Sequence, residues 1–316
     1  MERETCKGKD EAKMNLLRTG MLMAALTALF VGVGWMIGGA MGMVIAFAIA
    51  AGTNAFAWWN SDTMALRAHN AKRITEMTHP RLVQAVARLA REAGLPMPAV
   101  HLIDSRQANA FATGRNPENA AVAVTSGLLH HLSQEEVEGV IAHELAHIRN
   151  RDTLIMTVAA TFAGAISFLA QIGLWFGGSR EHGKFGFVGV LLAALFAPMA
   201  AALIQASISR AREYGADSEG AAITRNPLGL ASALRKISNQ ANWVQMPSAE
   251  LHTGTAHMFI HNPLVGVRVD RLFSTHPPAE RRIAALEAMA YTDEYKLPPR
   301  QKVRISRSHI PRVLRR

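Results

Sequence analysis

The segment Val140–Asn150 reads VIAHELAHIRN and contains residues that could bind and use a metal ion. His143 and His147 are four positions apart, and Glu144 directly follows the first histidine. On an α-helix such residues lie on one face, about 5.4 Å apart along the axis, so both imidazoles can bind one ion. A hydrolytic zinc site uses neutral imidazoles and keeps one coordination position open. Glu144 would face that position as a general base, so the segment predicts a hydrolytic site with one Zn²⁺ per chain.

The residues before this motif predict the helix that the two histidines require. Ser133 and Glu136 form a capping-box pattern, which is typical of a helix N-terminus. Apolar residues then recur at helical spacing along one face: Val137, Val140, Ile141, Leu145 and Ile148. One structural alternative stays open, in which the two histidines only satisfy each other by hydrogen bonds.

A third metal ligand must come from another part of the chain. A metzincin would carry Gly and His three and six residues after the second histidine; this chain has Asn150 and Thr153 there, which excludes that subclass. The other common solution is a glutamate from a later helix. Glu213 is the candidate, because it lies four residues after an uncharged run that ends at Ser209. His147 lies about 9 Å, along a continuous helix, before the uncharged run that begins at Thr153. If the runs 153–179 and 185–209 pack antiparallel, His147 and Glu213 emerge at the same height.

Two aspartates near these ligands have predicted roles. Asp217 lies one turn after Glu213 on the same face and could hold a ligating imidazole in one tautomer. Asp152 is a weaker alternative ligand, because its position after His147 on the same helix should point it away from the two histidines. The remaining alternative for Glu213 and Asp217 is an ordinary solvated acidic face.

Long uncharged runs predict that much of the chain crosses a membrane. Between Arg18 and Asp62, 43 residues contain no Asp, Glu, Lys, Arg or His. This is about twice the ~20 residues that one spanning helix needs, so we expect two helices with a tight turn at Gly38-Gly39. Residues 153–179 and 185–209 are two further uncharged runs, on either side of REHGK, and they predict a second hairpin.

Two other interpretations of the first run are weaker. A secretory signal has an apolar region of only about 7–15 residues and a small-residue cleavage site. Core helices of a soluble protein rarely extend so far without a charge. Trp58 and Trp59 also fit the aromatic residues that are enriched at membrane surfaces.

Basic residues lie mainly on one side of the uncharged runs. They include Lys13, Arg18, Arg67, Lys72, Arg149, Arg151, Arg210 and Arg212. The turns within the two predicted hairpins contain only Arg180 and Lys184. The positive-inside rule therefore places both termini and the soluble domain in the cytoplasm.

The runs divide the chain into six segments. In order, these are a cytoplasmic N-terminal segment (1–18), a transmembrane hairpin (19–61), the first part of a cytoplasmic domain with the HELAH helix (62–152), a second transmembrane hairpin (153–209), the second part of that domain (210–290) and a basic tail (291–316). Within the domain, AVHLID and NAAVAVTSG predict strands, and the turn-rich SRQANAFATGRNPE separates them. The predicted fold is a mainly α membrane protein with two transmembrane helical hairpins and a cytoplasmic α+β domain with a small β-sheet.

The formal net charge of +10 limits the possible partners. A basic tail could contact anionic lipid head groups, or could simply be solvated. The chain has no interleaved aromatic series or module signature typical of nucleic-acid binding, so no nucleic-acid partner is expected. Cys6 is the single cysteine, which excludes an internal disulfide and a cysteine-ligated zinc site.

Five motifs follow one another along the chain: NAFATGRNP, GVIAHELAHIRNRDT, SRAREYGAD, TAHMFIHNP and FSTHPPAERRI. In this order, interrupted by hydrophobic hairpins, they resemble the HtpX family of membrane zinc metallopeptidases, relatives of the CAAX prenyl endopeptidases. The resemblance extends from the first hairpin to about Leu286. It implies a zincin-like endopeptidase of the bacterial cytoplasmic (inner) membrane that acts in the stress response and in quality control of misfolded membrane proteins. The family's metal ligands match His143, His147 and Glu213, and its general base matches Glu144.

The resemblance also implies residues that contact substrate. Asn109, Ala110 and Phe111 match a segment that looks like an edge strand, which would offer backbone hydrogen bonds to an extended substrate. The alternative for them is a simple turn with a buried Phe. His276 and Arg282 match a C-terminal pattern that could stabilise an oxyanion or bind a carbonyl, although a structural role is equally open.

The predicted function is therefore a zinc metalloendopeptidase in a lipid bilayer, with unfolded or membrane proteins as substrates. An intramembrane metalloprotease is disfavoured, because too many charged residues surround the motif for hydrocarbon: Glu135, Glu136, Glu138 and Arg149. A metal transporter would carry ionisable groups within its spans, and the uncharged runs contain none. A zinc-binding membrane scaffold without hydrolytic activity remains the alternative.

Overall fold

The computed structural model describes residues 2–160, 210–241, 243–264 and 277–292. Most of the predicted second hairpin, the site residue His276 and all but the first two residues of the basic tail lie outside these ranges. The structure therefore covers one predicted hairpin and most of the predicted cytoplasmic domain.

The N-terminal helix α1, Glu2–Trp59, is interrupted at Gly38 and Gly39, where the chain reverses direction. Gly39 has a φ of 58°, a backbone conformation that suits glycine. The two arms then pack closely, since a Cβ atom built on Gly34 would lie 2.4 Å from the carbonyl oxygen of Gly42. Thr27 accepts a hydrogen bond of 2.8 Å from Asn54 on the other arm. The turn lies at the glycine pair at which the sequence predicts it.

The second arm of α1 has the character of a membrane helix. Among the described residues, Gly38–Phe56 is the one segment that is long and apolar enough to cross a membrane. Its large apolar side chains are exposed rather than packed in a core, including those of Met41, Val44, Ile45, Phe47, Ile49 and Phe56. An exposed apolar surface of this extent needs a cover, and lipid is one that the composition suits.

A small mixed sheet follows the hairpin, after helix α2 (Ser61–Ala68). Its strands are β1 (Lys72–Arg73), β2 (Ala99–Ile103), β3 (Ala110–Gly114) and β4 (Ala120–Thr125), in the spatial order β1-β2-β4-β3. β2 and β4 are parallel, and helix α3 (Pro80–Glu92) precedes β2. β3 runs antiparallel to β4 and forms one edge of the sheet, within the stretch that the residue pattern alone predicts as turns.

The remaining described helices pack on the sheet or on one another. They are α4 (Ser126–His131), α5 (Gln134–Arg149), α6 (residues 152–160), α7 (Arg210–Thr224), α8 (Pro227–Ala241), α9 (Pro247–Leu251) and α10 (Ala279–Ala290). Helix α5 carries the HELAH motif and begins with the capping box that the sequence predicts. The Ser133 hydroxyl accepts from the Glu136 N–H, and the Glu136 carboxylate accepts from the Ser133 N–H.

Alternating residues of the sheet contribute to two different cores. Ala110, Ala112, Val122 and Val124 pack with helices that include α3, α5 and α8. Phe111, Ala121 and Ala123 point to the opposite face, where they pack with α2, α6 and the chain around Phe259. β3 and β4 are therefore buried along their whole length, and β3 is held in place from both faces.

The structure changes the predicted path of the chain after the HELAH helix. Instead of one continuous helix, α5 ends at Arg149, and Arg151 adopts a left-handed φ of 58° before α6 begins. The first residues of the predicted third span are buried in the domain, because Ile155 and Met156 pack against the sheet. Thr153 donates a hydrogen bond to Gly114 at the end of β3. Residues 152–160 thus belong to the core of the domain.

Candidate metal centre

Helices α5 and α7 bring the three predicted ligands together. The Nε2 atoms of His143 and His147 lie 3.2 Å apart. Glu213 lies 3.5 Å from His147 Nε2 through one carboxylate oxygen and 3.9 Å from His143 Nε2 through the other. All three side chains are buried, and their ligand atoms lie within 4.8 Å of one another. Bonds of ~2.0–2.1 Å in a tetrahedral zinc site place ligand atoms about 3.3 Å apart, so this arrangement fits a zinc-sized ion.

The outer nitrogen of each imidazole contacts an aspartate. Asp217 lies 3.0 Å from Nδ1 of His143, and Asp152 lies 2.9 Å from Nδ1 of His147. A carboxylate accepts a hydrogen bond from Nδ1–H, and this tautomer leaves the Nε2 lone pair of each ring directed at the other ring and at Glu213. Two lone pairs and a carboxylate at this distance repel each other unless a positive charge lies nearby, and a metal ion, a proton on His147 or the Arg282 guanidinium 3.4 Å from Glu213 can supply it. The geometry therefore suits a metal site, and a hydrogen bond between the two histidines remains the alternative.

The charges around the centre also suit a divalent cation. Four buried carboxylates surround it, those of Glu144, Asp152, Glu213 and Asp217. Two guanidinium groups oppose them, because Arg282 contacts Asp217 and Glu213, and Arg212 lies 3.5 Å from Asp152. If all four carboxylates are ionised and both histidines are neutral, as metal ligands must be, two negative charges remain, and one divalent cation would neutralise them.

The pKa values of the two histidines are shifted in opposite directions. Burial lowers the pKa of His143 to about 4. Burial also opposes the charged form of His147, but Asp152, Glu213 and Glu144 outweigh it and raise the pKa of His147 to about 9. When no metal is bound, a proton on His147 therefore supplies part of the missing positive charge. A metal ion would have to displace that proton.

Glu144 is placed as a general base requires. It lies on α5 next to His143, is 1% exposed, and accepts a hydrogen bond from the backbone N–H of Ala112 in β3. Its Oε1 atom has no hydrogen-bond partner among the described residues. Burial raises the pKa of Glu144 to about 7, and the nearby carboxylate of Glu213 adds to this increase. A carboxylate with this pKa can both take up and release a proton near neutral pH.

Arg282 lies on α10 and reaches the centre from the side of α7. Its guanidinium donates to Asp217 at 2.7 and 2.8 Å and to the carbonyl oxygen of Ile260 at 3.3 Å. It also lies 3.4 Å from Glu213. Arg282 thus holds the ligand environment in place, and its predicted contact with a substrate oxyanion stays a prediction. His276, predicted with it, is not among the described residues.

Asn109, Ala110 and Phe111 lie at the predicted edge strand, but their groups contact the chain itself. The carbonyl oxygen of Ala110 accepts from the backbone N–H of Ile260, and the Asn109 side chain donates to the carbonyl oxygen of His261. Phe111 is buried against Phe259. Residues 260 and 261 thus occupy the positions at which an added substrate strand was expected, and substrate binding at Asn109 and Ala110 stays a prediction.

Asp152 corrects one expectation from the sequence. It does not point away from the histidines but contacts Nδ1 of His147, because the left-handed residue Arg151 turns the chain back after α5. The arginine at this position carries no signal of such a turn, since glycine is the usual left-handed residue.

Gly220 is a second residue whose role the sequence did not reveal. A Cβ atom on Gly220 would lie 2.9 Å from the backbone nitrogen of His143, so only glycine lets α7 approach α5 this closely. It lies seven residues, or two helical turns, after Glu213 and therefore on the same face of α7. The seven-residue interval from Glu213 to Gly220 was the feature of the sequence that could have indicated this role.

The fold and the site define a metallopeptidase: an HExxH helix beside an edge strand, with a third ligand from a second helix. Residues 76–290 match the model of Peptidase family M48, so the chain belongs to this family. HtpX proteins belong to M48, so this match confirms the predicted resemblance as far as membership of M48. Among solved structures, the chain is similar to the crystal structure of S. mikatae Ste24p, with 18% sequence identity and a TM-score of 0.45. The match covers 88% of this chain and 67% of that one.

Proposed function

We propose that this chain is a membrane-embedded zinc endopeptidase that hydrolyses peptide bonds of misfolded or membrane proteins on the cytoplasmic side of a bacterial inner membrane. One observation carries the proposal: His143, His147 and Glu213 converge with zinc-like spacing, and Glu144 lies beside them. Membership of Peptidase family M48 supports the peptidase activity.

When bound to the three ligands, a zinc ion would polarise a peptide carbonyl and make a water molecule more acidic. Glu144 would take the proton of the attacking water and pass it to the leaving amine. The hydrogen bond from Ala112 N–H holds the Glu144 carboxylate beside β3 during these transfers. Asp217 keeps Nδ1 of His143 protonated, so that Nε2 of this ring stays available as ligand. No covalent intermediate with the protein is needed.

The membrane location rests on the N-terminal hairpin. Gly38–Phe56 has the length and the exposed apolar surface of a span, and basic residues beyond both arms favour a cytoplasmic domain. Cys6, the single cysteine, offers a direct test of this orientation. A membrane-impermeant thiol reagent should label it in inverted vesicles and not in intact cells, whereas labelling in intact cells would contradict a cytoplasmic N-terminus.

The central experiment is a zinc add-back assay. The full chain is purified in detergent with a chelator, zinc is restored, and cleavage of an unfolded polypeptide is followed for the wild type, for Glu144→Gln and for the control Glu135→Gln. Glu135 is exposed on the same helix, so its variant should cleave like the wild type. Glu144→Gln should bind zinc but cleave at least about 100-fold more slowly.

Two results would change the interpretation. A Glu144→Gln variant that cleaves at the wild-type rate would remove the general base from the mechanism. A wild-type protein that retains zinc but cleaves no unfolded polypeptide would favour a zinc-binding membrane scaffold.

A further inference from the structure

We propose that Asp152 is a positioning residue of the metal centre, which fixes the ring of the second histidine ligand. The proposal rests on the proposed function in one respect: it assumes that a divalent cation binds to His143, His147 and Glu213. Asp152 itself would not touch the ion.

The contacts of Asp152 connect the two ligand helices. Its side chain is 1% exposed; one carboxylate oxygen lies 2.9 Å from Nδ1 of His147, and the other lies 3.5 Å from Nε of Arg212. His147 belongs to α5, and Arg212 directly precedes the third ligand, Glu213, on α7. A single buried carboxylate thus contacts one ligand directly and the neighbour of another.

The other half of the site has the same arrangement. Asp217 lies 3.0 Å from Nδ1 of His143 and also pairs with a guanidinium, that of Arg282. Each ligating imidazole therefore contacts one aspartate, and each aspartate contacts one arginine. Since Asp217 holds the first histidine in this way, the geometry gives Asp152 the same role for the second.

The backbone before Asp152 supports this role. Arg151 has a φ of 58°, which is unfavourable for a residue with a side chain. Without this turn, a continuous helix would carry position 152 away from His147, as the sequence led us to expect. The strained residue is what places the Asp152 carboxylate beside the imidazole.

The effect of losing this contact can be estimated. The Asp152 carboxylate keeps the proton on Nδ1 and sets the orientation of the His147 ring, so its removal should weaken metal binding about 10- to 100-fold. Asparagine can still accept a hydrogen bond from Nδ1–H, but it lacks the charge. A neutral bond is about half as strong, so Asp152→Asn should weaken binding by only about 3- to 10-fold.

The test measures metal binding rather than turnover. The full chain in detergent is titrated with Co²⁺ against a competing chelator, and the visible spectrum of the bound cobalt reports the geometry of its ligands. The variants are Asp152→Ala, Asp152→Asn and the control Asp104→Ala, which removes an exposed aspartate outside the metal centre. Thermal unfolding of each metal-free variant checks that it is folded.

We expect the two Asp152 variants to lose affinity in the stated order and to shift the cobalt spectrum, and the control to match the wild type. Wild-type affinity and spectrum in a folded Asp152→Ala protein would overturn the proposal. If that variant does not fold, Asp152→Asn decides by the same criterion. A wild type that binds no cobalt would instead overturn the proposed function, so the two failures can be told apart.

Discussion

Gly220 provides the most specific prediction for how the two ligand helices are assembled. A Cβ atom at this position would lie 2.9 Å from the backbone nitrogen and 3.1 Å from the Cα atom of His143, whereas ordinary contacts begin at 3.4 Å. Both neighbours are backbone atoms of a buried helix, so they cannot rotate away. Gly220→Ala should therefore separate α7 from α5 by about 0.5 Å. Zinc ligands tolerate deviations of only about 0.2 Å, so the separation would pull Glu213 out of range of the two histidines.

The size of the effect follows from two opposing contributions. Overpacking costs about 1–3 kcal/mol, and the higher helix propensity of alanine returns up to about 1 kcal/mol. The helix propensity of alanine acts equally with and without metal, so only the overpacking strain changes zinc affinity. If most of this strain is relieved when the metal leaves, the affinity should fall about 5- to 150-fold, since 1.4 kcal/mol corresponds to a factor of ten. The stability of the metal-free protein should change much less.

Gly215 is a matched control on the same helix. A Cβ atom on Gly215 would meet nothing within 4 Å, so Gly215→Ala gains the same helix propensity without the clash. Competition with a chromogenic chelator measures zinc affinity in both variants. If Gly220→Ala and Gly215→Ala bind zinc equally well, close packing at His143 does not position the ligands, and the reasoning is refuted.

Two further predictions concern the scaffold. Burial would raise the pKa of Glu136, but hydrogen bonds from Lys236, Ser232 and the Ser133 N–H outweigh it and lower the pKa. The resulting stabilisation is present above the ordinary glutamate pKa and is lost as the pH falls through the lowered value. In chemical unfolding, Glu136→Gln should therefore cost about 1–3 kcal/mol at pH 6, and this cost should shrink as the pH falls through the lowered pKa of Glu136. The exposed Glu135→Gln should cost little at any pH, and equal pH dependence of the two variants would contradict this. Arg151→Gly should maintain or raise stability, because glycine relieves the left-handed strain, and Arg151→Val should cost about 1 kcal/mol or more. Equal unfolding midpoints for these two variants would show that Arg151 is not strained.

The parts of the site that depend on local sequence could be predicted. The capping box at Ser133 and the apolar spacing of α5 define the helix, and a four-residue interval then determines how His143 and His147 face one another. Glu213 followed from its position four residues after the uncharged run that ends at Ser209, and Asp217 followed from its helical spacing after Glu213. The turn at Gly38-Gly39 was predictable because a glycine pair interrupts an otherwise uniform apolar run.

The remaining features depend on contacts between distant parts of the chain. Asp152 reaches His147 only because Arg151 adopts a conformation that its residue type does not announce. The strand β3 reads AFATG, in which Phe111 and Thr113 are the only residues that favour a strand, and its place in the sheet is secured by its pairing with β4 and by Ile260. The Asn109 side chain also contacts the chain itself, at the backbone of His261, which a motif comparison could not reveal.

The central claim is that two histidines of one helix and a glutamate of another hold a single zinc ion beside Glu144. The most direct test measures bound zinc per chain in the wild type, in Glu144→Gln and in Glu213→Ala, after each protein is loaded with zinc and freed of excess. We predict about one zinc per chain in the first two proteins and almost none in Glu213→Ala. A Glu213→Ala protein that retains one tightly bound zinc per chain would contradict this account.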